Sequence, residues 1–357
     1  MYGRAMLNGR LADPETTLAT DPRSEPRMVA AFAPYGLDGH LPAAELGVDA
    51  PLNDRLAFAA MTEEGTGAVL DVFGQAAPVA DGVTTTTATI PGVDGNDVTI
   101  YISRPDNAAG PLPCVVHLHG GGMAILTAAD TTYARGREYN AATGLVVVGV
   151  EFRNSGGKLG PHPYPAGLND CAAAVQWVAA NRRDLGISHL IVSGESGGGN
   201  LTLAVALKAK RDGWLHEIAG VYAQCPYISN RWLEQPDELS SLKENDSYFI
   251  DCLGLALLGS IYNPDNTHAQ DATCWPLEAS VEELTGLPPH VISVNELDPL
   301  RDEGLIYYRR LLKAGVPAVG RMVLGTCHGG DLLLPGAMPE VFAASMRDVS
   351  GFAKSLG

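Results

Sequence analysis

The sequence predicts an α/β protein with a mainly parallel central sheet and helices on both faces. Three observations carry this. Apolar runs without polar alternation recur along the chain: LPCVVHL (112–118), LVVVGVEF (145–152), LIVSG (190–194), IAGVYAQ (218–224) and HVISVNE (290–296). Runs of that kind are strands buried on both faces. Segments of helical pattern lie between them, at 128–142, 166–183 and 197–211, so strand and helix alternate. Finally, 357 residues with 46% apolar side chains can build one large α/β domain with additions, or two domains.

Taken in order, residues 1–50 are rich in Pro, Gly and Ala and read as irregular segments that wrap another surface. DRLAFAAMTEE (54–64) reads as a helix with Asn53 as its candidate N-cap, and Gly65 and Gly67 leave its end open. From residue 83, a Thr-rich strand and VTIYISRP flank the turn PGVDGND, an antiparallel pair for one sheet edge. The 166–183 helix sets Leu168, Cys171, Val175 and Val178 on one face. Alternation stops at 229–286, where a helix near 247–261 is expected. It resumes at 290 with a strand, a helix at 302–314, the strand VGRMVL (319–324) and a last helix at 337–355.

The formal charge of −17 argues against nucleic acid and anionic membrane surfaces as partners. It is unevenly spread: residues 1–82 carry −7, residues 229–286 carry −9, and everything else carries −1. No apolar run is long enough to span a bilayer, and the N-terminus has no apolar signal core. A cytoplasmic protein without membrane insertion is expected. The six cysteines lack CxxC spacing and read as buried free thiols.

The strongest chemical signal is GESGGGN (194–200), a G-x-S-x-G placed between the strand LIVSG and the helix that follows. On such a turn a serine is held with its hydroxyl exposed above the sheet, and the next helix offers its N-terminal amides to developing negative charge. Ser196 is the nucleophile candidate. A phosphate-binding turn lacks support, because neither the P-loop nor the Rossmann spacing is present. Partners in the order Ser, acid, His are expected downstream. His328 follows a strand and is the only histidine after 290. NELDPLRDEG offers Glu296, Asp298 and Asp302 as the acid. Asp298 is preferred because it sits in the turn past a strand, whereas Asp302 reads as a cap or first-turn acid. His117 and His119 share a strand face, but no third metal ligand has suitable spacing. The glycines behind them, HGGG (119–122), suit backbone amides that meet an oxyanion.

HGGG, GESGGGN, DPLRDEG (298–304) and CHGG (327–330) together resemble the hormone-sensitive-lipase-like (bacterial family IV) esterases of the α/β-hydrolase superfamily. HPYPAGLND (162–170) also resembles that family's loop into its helix, and the long N-terminal region resembles the brefeldin A esterase subgroup. The resemblance covers roughly residues 80–357. It implies an α/β-hydrolase fold with a mostly helical cap. Residues 1–82 are then an extension and first part of the cap, 83–228 and 287–357 the core, and 229–286 the cap insertion. It implies Ser196, His328 and Asp298 as the catalytic triad, and the amides of Gly121, Gly122 and Gly197 as the oxyanion hole. His119 becomes a loop-shaping residue and His117 a buried strand residue. Two departures stand out: Glu195 and Gly197 where Asp or Thr and then Ala are usual, and Gly329–Gly330 after the histidine in place of Gly-Phe.

A serine carboxylesterase acting on short- to medium-chain esters is therefore expected, with no cofactor and no metal. The two acidic segments would both fall in the cap, which favours neutral ester substrates. A homodimer is compatible with the sequence. Amide, lactone or acetyl-sugar hydrolysis by the same triad is the alternative within enzymes. A non-catalytic binding protein is the alternative outside them: plant gibberellin receptors resemble this family and lack the histidine, which is present here as His328.

Overall fold

The structure is a computed structural model describing residues 8–42 and 44–357. The described residues form an eight-stranded sheet in the order β1-β2-β4-β3-β5-β6-β7-β8. The strands are β1 (Val83–Pro91), β2 (Asp97–Pro105), β3 (Leu112–Leu118), β4 (Val146–Glu151), β5 (Ile187–Glu195), β6 (Gly220–Gln224), β7 (His290–Asn295) and β8 (Ala318–Val323). β1 pairs antiparallel with β2, and β2 with β4; every other pairing is parallel. The Thr-rich hairpin thus forms one edge, as its turn residues suggest. This is the α/β-hydrolase architecture.

The apolar runs are double-sided for a visible reason. On β3, Val116 faces a core with Val148, Val192 and Val221, closed by Val175 of one helix and Leu201 and Val205 of another. Val115, one residue away, faces the opposite core with Val147, Ile191 and Tyr222, closed by Val349 and Ala353 of the last helix. Each such aliphatic side chain contributes about 1.5–3 kcal/mol relative to an exposed one. The covering helices are α3 (Thr131–Ala142), α4 (Ala166–Ala180), α5 (Gly197–Arg211), α7 (Arg301–Lys313) and α8 (Pro339–Ser355).

Among the described residues, three helices of seven residues or more lie outside this layering: α1 (Pro26–Phe32), α2 (Leu52–Gln75) and α6 (Cys252–Tyr262). α2 differs from its sequence expectation. It starts at Leu52 behind Pro51, so Asn53 lies inside the helix and caps nothing, and it runs through Gly65 and Gly67. Glycine costs about 1 kcal/mol in a helix. Burial of Leu70 and Phe73 against Phe32 and Leu334 lies on the far side of both glycines and offsets that cost. The N-terminal segment is also more ordered than its composition suggests. Leu18, Met28 and Phe32 are fully buried in a core shared with Tyr248 and Leu258 of the 229–286 segment.

An ion cluster ties these parts together. Glu244 receives both Arg301 guanidinium nitrogens, at 3.1 and 2.8 Å, and also pairs with Arg23. Arg23 in turn holds Asp21 at 2.8 Å. Glu244 and Asp21 are buried, so each needs its partner in place. Removing Glu244 takes a carboxylate from both arginines at once and leaves each with a single acid, Asp21 for Arg23 and Asp302 for Arg301. Glu244→Ala is expected to lower the unfolding free energy by about 3–5 kcal/mol in urea titrations. A change below about 1 kcal/mol, as for an exposed pair, would show the cluster to be dispensable.

Candidate active site

The site grows out of the way three strands end. β5 ends at Glu195 and α5 begins at Gly197, so Ser196 must turn the chain alone. It does so at φ 56°, ψ −119°, a strained conformation for a residue with a side chain. Its amide donates to the Gln224 carbonyl at 2.9 Å, and its carbonyl accepts from Tyr227 and Asn200. The turn tolerates nothing beside it. A Cβ on Gly198 would stand 1.9 Å from the Leu118 carbonyl oxygen, and one on Gly197 would stand 2.6 Å from the Gly122 nitrogen. The glycine at 197, unusual on the resemblance, is what lets the glycine loop press against this turn.

That loop leaves β3 as His119–Gly122. Its peptide units are fixed one by one. The Gly120 amide donates to the Glu195 carboxylate at 2.7 Å. The Gly120 carbonyl lies 2.7 Å from His119 Nδ1, which must carry the proton, since a carbonyl only accepts. The Gly121 carbonyl accepts from both Ala124 and Ile125 at 3.0 Å. In a trans peptide the N–H points opposite to the C=O. With the carbonyls of Gly120 and Gly121 tied down, the following amides, on Gly121 and Gly122, face the other way. Among the described residues no acceptor pairs with the amides of Gly121, Gly122 or Gly197. Gly121 at φ 103° and Gly122 at φ 60° adopt backbone that side chains rarely take.

His119 is fully buried and stacked on Phe152 at 4.1 Å. Burial lowers its pKa to about 4, so it stays neutral. His117 departs from the expectation of a buried strand residue. It is partly exposed, and its Nε2 lies 2.8 Å from the second oxygen of Glu195. It lines a small cavity of about 50 Å³ behind the turn.

His328 follows β8, and its Nδ1 stands 2.8 Å from Asp298 Oδ2. Asp298 is fully buried, and its other oxygen accepts from the Leu300 amide at 2.8 Å. The remaining acids are elsewhere. Asp302 accepts from the Ser241 amide at 2.8 Å and from Arg301, and Glu296 accepts from the Gly325 amide. Burial by itself would lower the His328 pKa. Asp298 first and Cys225 second more than offset that and raise it well above the ordinary histidine value. Asn295 shapes the histidine loop, accepting from the Gly329 amide at 3.3 Å and donating to Asp331 at 2.8 Å.

A cavity of about 550 Å³ brings these groups together, opening on Ser196, His328, Gly121 and Gly122. Its far walls are apolar: Phe58, Val69 and Leu70 of α2, Leu255 and Leu258 of α6, and Phe249. Among the described residues lining it there is no lysine or arginine.

A family model described as the α/β-hydrolase fold matches residues 115–331. The chain also resembles esterase LipI of Mycobacterium tuberculosis, at 33% identity over 251 residues, 68% of this chain and 72% of the relative. Among solved structures, brefeldin A esterase, titled a bacterial homologue of human hormone-sensitive lipase, superposes with a TM-score of 0.95 at 46% identity. That match covers 98% of both chains. The chain belongs to the hormone-sensitive-lipase-like esterases of the α/β-hydrolase fold. Members of this family are carboxylic ester hydrolases. Esterase Est22 is a second structural relative, with a TM-score of 0.84 and 37% identity over 94% of this chain and 99% of its own.

Several residues in this site are invisible to motif reading. Glu63 of α2, buried, accepts from the Leu126 and Lys158 amides at 2.8 Å and braces the far end of the glycine loop. Cys225, at φ 35°, directly follows β6 and brings its thiol within 4.8 Å of ligand atoms on Asp298 and His328. Among the described residues this trio is the only grouping of three potential metal ligands, and Asp298 Oδ2 in it already serves His328. His117 and His119 belong to no such group. Burial pushes the Cys225 thiol pKa up, so it stays protonated.

The close approach at Gly197 can be tested directly. Gly197→Ala must displace the loop or the turn, and a shift of about 1 Å at reacting groups costs on the order of 100-fold in rate. Hydrolysis of p-nitrophenyl acetate by this variant should fall by about that factor. Unchanged kcat would mean that the loop yields without consequence.

Proposed function

We propose that this esterase hydrolyses neutral carboxylic esters through an acyl-enzyme on Ser196. One observation carries the reading. His328, backed by Asp298, and the unpartnered amides of the glycine loop open on the same cavity as the serine at the strained turn. Ser196 Oγ attacks the ester carbonyl while His328 Nε2 takes its proton. Asp298, bound to Nδ1–H, fixes the tautomer and stabilises the imidazolium. The oxyanion is met by the N–H groups of Gly121, Gly122 and Gly197. Collapse expels the alcohol, which takes the proton from His328. His328 then draws a proton from water, which attacks the acyl carbon and frees the acid and Ser196.

Residues 1–82 and 229–286 act as the cap, since α2 and α6 supply the walls facing Ser196. A volume of about 550 Å³ lies within the range of drug-sized ligand sites and suits short- to medium-chain esters. The wall chemistry supports neutral substrates. Asp251 lies on it with no cation beside it among the lining residues, and burial raises its pKa.

The deciding experiment is hydrolysis of p-nitrophenyl esters from acetyl to long chains by wild type, Ser196→Ala, Asp298→Asn and Asp302→Asn. Ser196→Ala and Asp298→Asn should each lose about 10⁴-fold or more in kcat, and Asp302→Asn less than about tenfold. A fully active Ser196→Ala would overturn the mechanism. The pH profile adds a signed test. The base must be neutral, so kcat/KM falls as pH drops through the raised His328 pKa. Asp298→Asn removes the larger raising partner and leaves burial against Cys225 alone, so the acid limb should move to lower pH. A limb that stays put would assign it to another group.

Substrate charge is tested separately. Neutral esters should be preferred over carboxylate-bearing analogues, and the preference should shrink as salt screens the acidic cap. A ratio of kcat/KM values that ignores salt would remove charge from the account.

A further inference from the structure

The glycine loop and the serine turn come from strands β3 and β5, and nothing in the motifs says what keeps them in register at their ends. One side chain does this in the structure. Glu195 precedes Ser196, is 8% exposed, and reaches with its carboxylate to the root of the loop. One oxygen accepts from the Gly120 amide at 2.7 Å, and the other lies 2.8 Å from His117 Nε2. His117 stands on β3 directly opposite Ser193 of β5. The carboxylate therefore bridges the two strands just below the point where both chains leave the sheet.

Position is the reason this matters. Gly120 is held at both of its peptide units: Glu195 takes the N–H of the His119–Gly120 unit, and His119 takes the C=O of the Gly120–Gly121 unit. That carbonyl shares a peptide plane with the Gly121 N–H. His119 fixes that plane and Glu195 fixes the one before it, so the two contacts together aim an amide that has no partner of its own. Glutamate is bonded through covalent backbone to Ser196, so the same side chain sets the amide relative to the nucleophile.

We propose that Glu195 is a positioning residue that holds the Gly121 and Gly122 amides at the geometry of the oxyanion. This rests on the acyl-enzyme reading above. Its effect belongs to the transition state, because the ester carbonyl in the ground state draws less on these donors. Glu195→Ala leaves the Gly120 amide unpaired. Glu195→Gln keeps a carbonyl for it, and its NH₂ group can donate to His117 Nε2 in the other ring tautomer.

The test compares wild type, Glu195→Ala, Glu195→Asp and Glu195→Gln in kcat, KM and affinity for a trifluoromethyl ketone, which forms a tetrahedral adduct. Glu195→Ala should lose on the order of 100-fold in kcat, with KM within about threefold. Affinity for the ketone should fall in parallel. Glu195→Gln should recover to within about tenfold of wild type. Should Glu195→Ala not fold, Glu195→Asp decides by the same ratios, with a thermal melt recorded for each variant. Equal ketone affinity in wild type and the folded variant would overturn the proposal, as would a Gln variant no better than Ala. A wild type that neither hydrolyses esters nor binds the ketone would instead remove the acyl-enzyme reading itself.

Discussion

A backbone amide that must receive a fleeting charge has to stay unpaired in the resting protein, and an unpaired buried N–H is costly. Much of this molecule can be understood as the set of contacts that enforce that condition beside Ser196. The carbonyls of Gly120 and Gly121 are spoken for by His119, Ala124 and Ile125. The far end of the loop is pinned by Glu63 and by Asn154, whose side chain donates to the Leu126 carbonyl at 2.7 Å. What is left over points where the proposed oxyanion forms. Glycine is required because the same close approach that aims the amides excludes any Cβ.

The sheet and the strand-end motifs were legible in the sequence because they depend on local signals. Unbroken apolar runs mark two-faced burial, and the Gly-rich turns mark where the chain must bend sharply. Asp298 could be preferred over Asp302 by its place in a turn, and the structure sets Asp298 against His328 and Asp302 against Ser241. The clamp through Glu195 was not legible. Its partners His117 and Gly120 are 78 and 75 residues away, and a glutamate inside G-x-S-x-G looks like a mild variation. Glu63 and Cys225 escaped for the same reason. Each is meaningful only once a distant loop is folded on to it.

The helix α2 shows the opposite failure, where a local rule was right in sign and too weak in size. Gly65 and Gly67 do oppose the helix, but packing of Leu70 and Phe73 beyond them outweighs the cost. The irregular-looking N-terminal segment is ordered by similar means. Met28 packs behind the histidine loop, its sulfur 3.4 Å from the Cys327 amide. Composition alone cannot reveal order that is supplied by another part of the chain.

The buried cluster of Arg23, Glu244 and Arg301 has a wider consequence. Arg301 lies three residues after Asp298, so the roof over the cavity and the segment carrying the acid are anchored to one another. Roofs of this kind are where a lineage would vary its diet, since they shape the chamber without supplying the chemistry. Here the roof is not interchangeable on its own. Grafting a different one would leave Arg301 with Asp302 alone as counterion unless the graft brings a carboxylate to the place of Glu244. Divergence in this lineage should therefore proceed by repainting the inner walls, at Phe58, Val69, Leu255 and their neighbours, while Glu244 stays fixed.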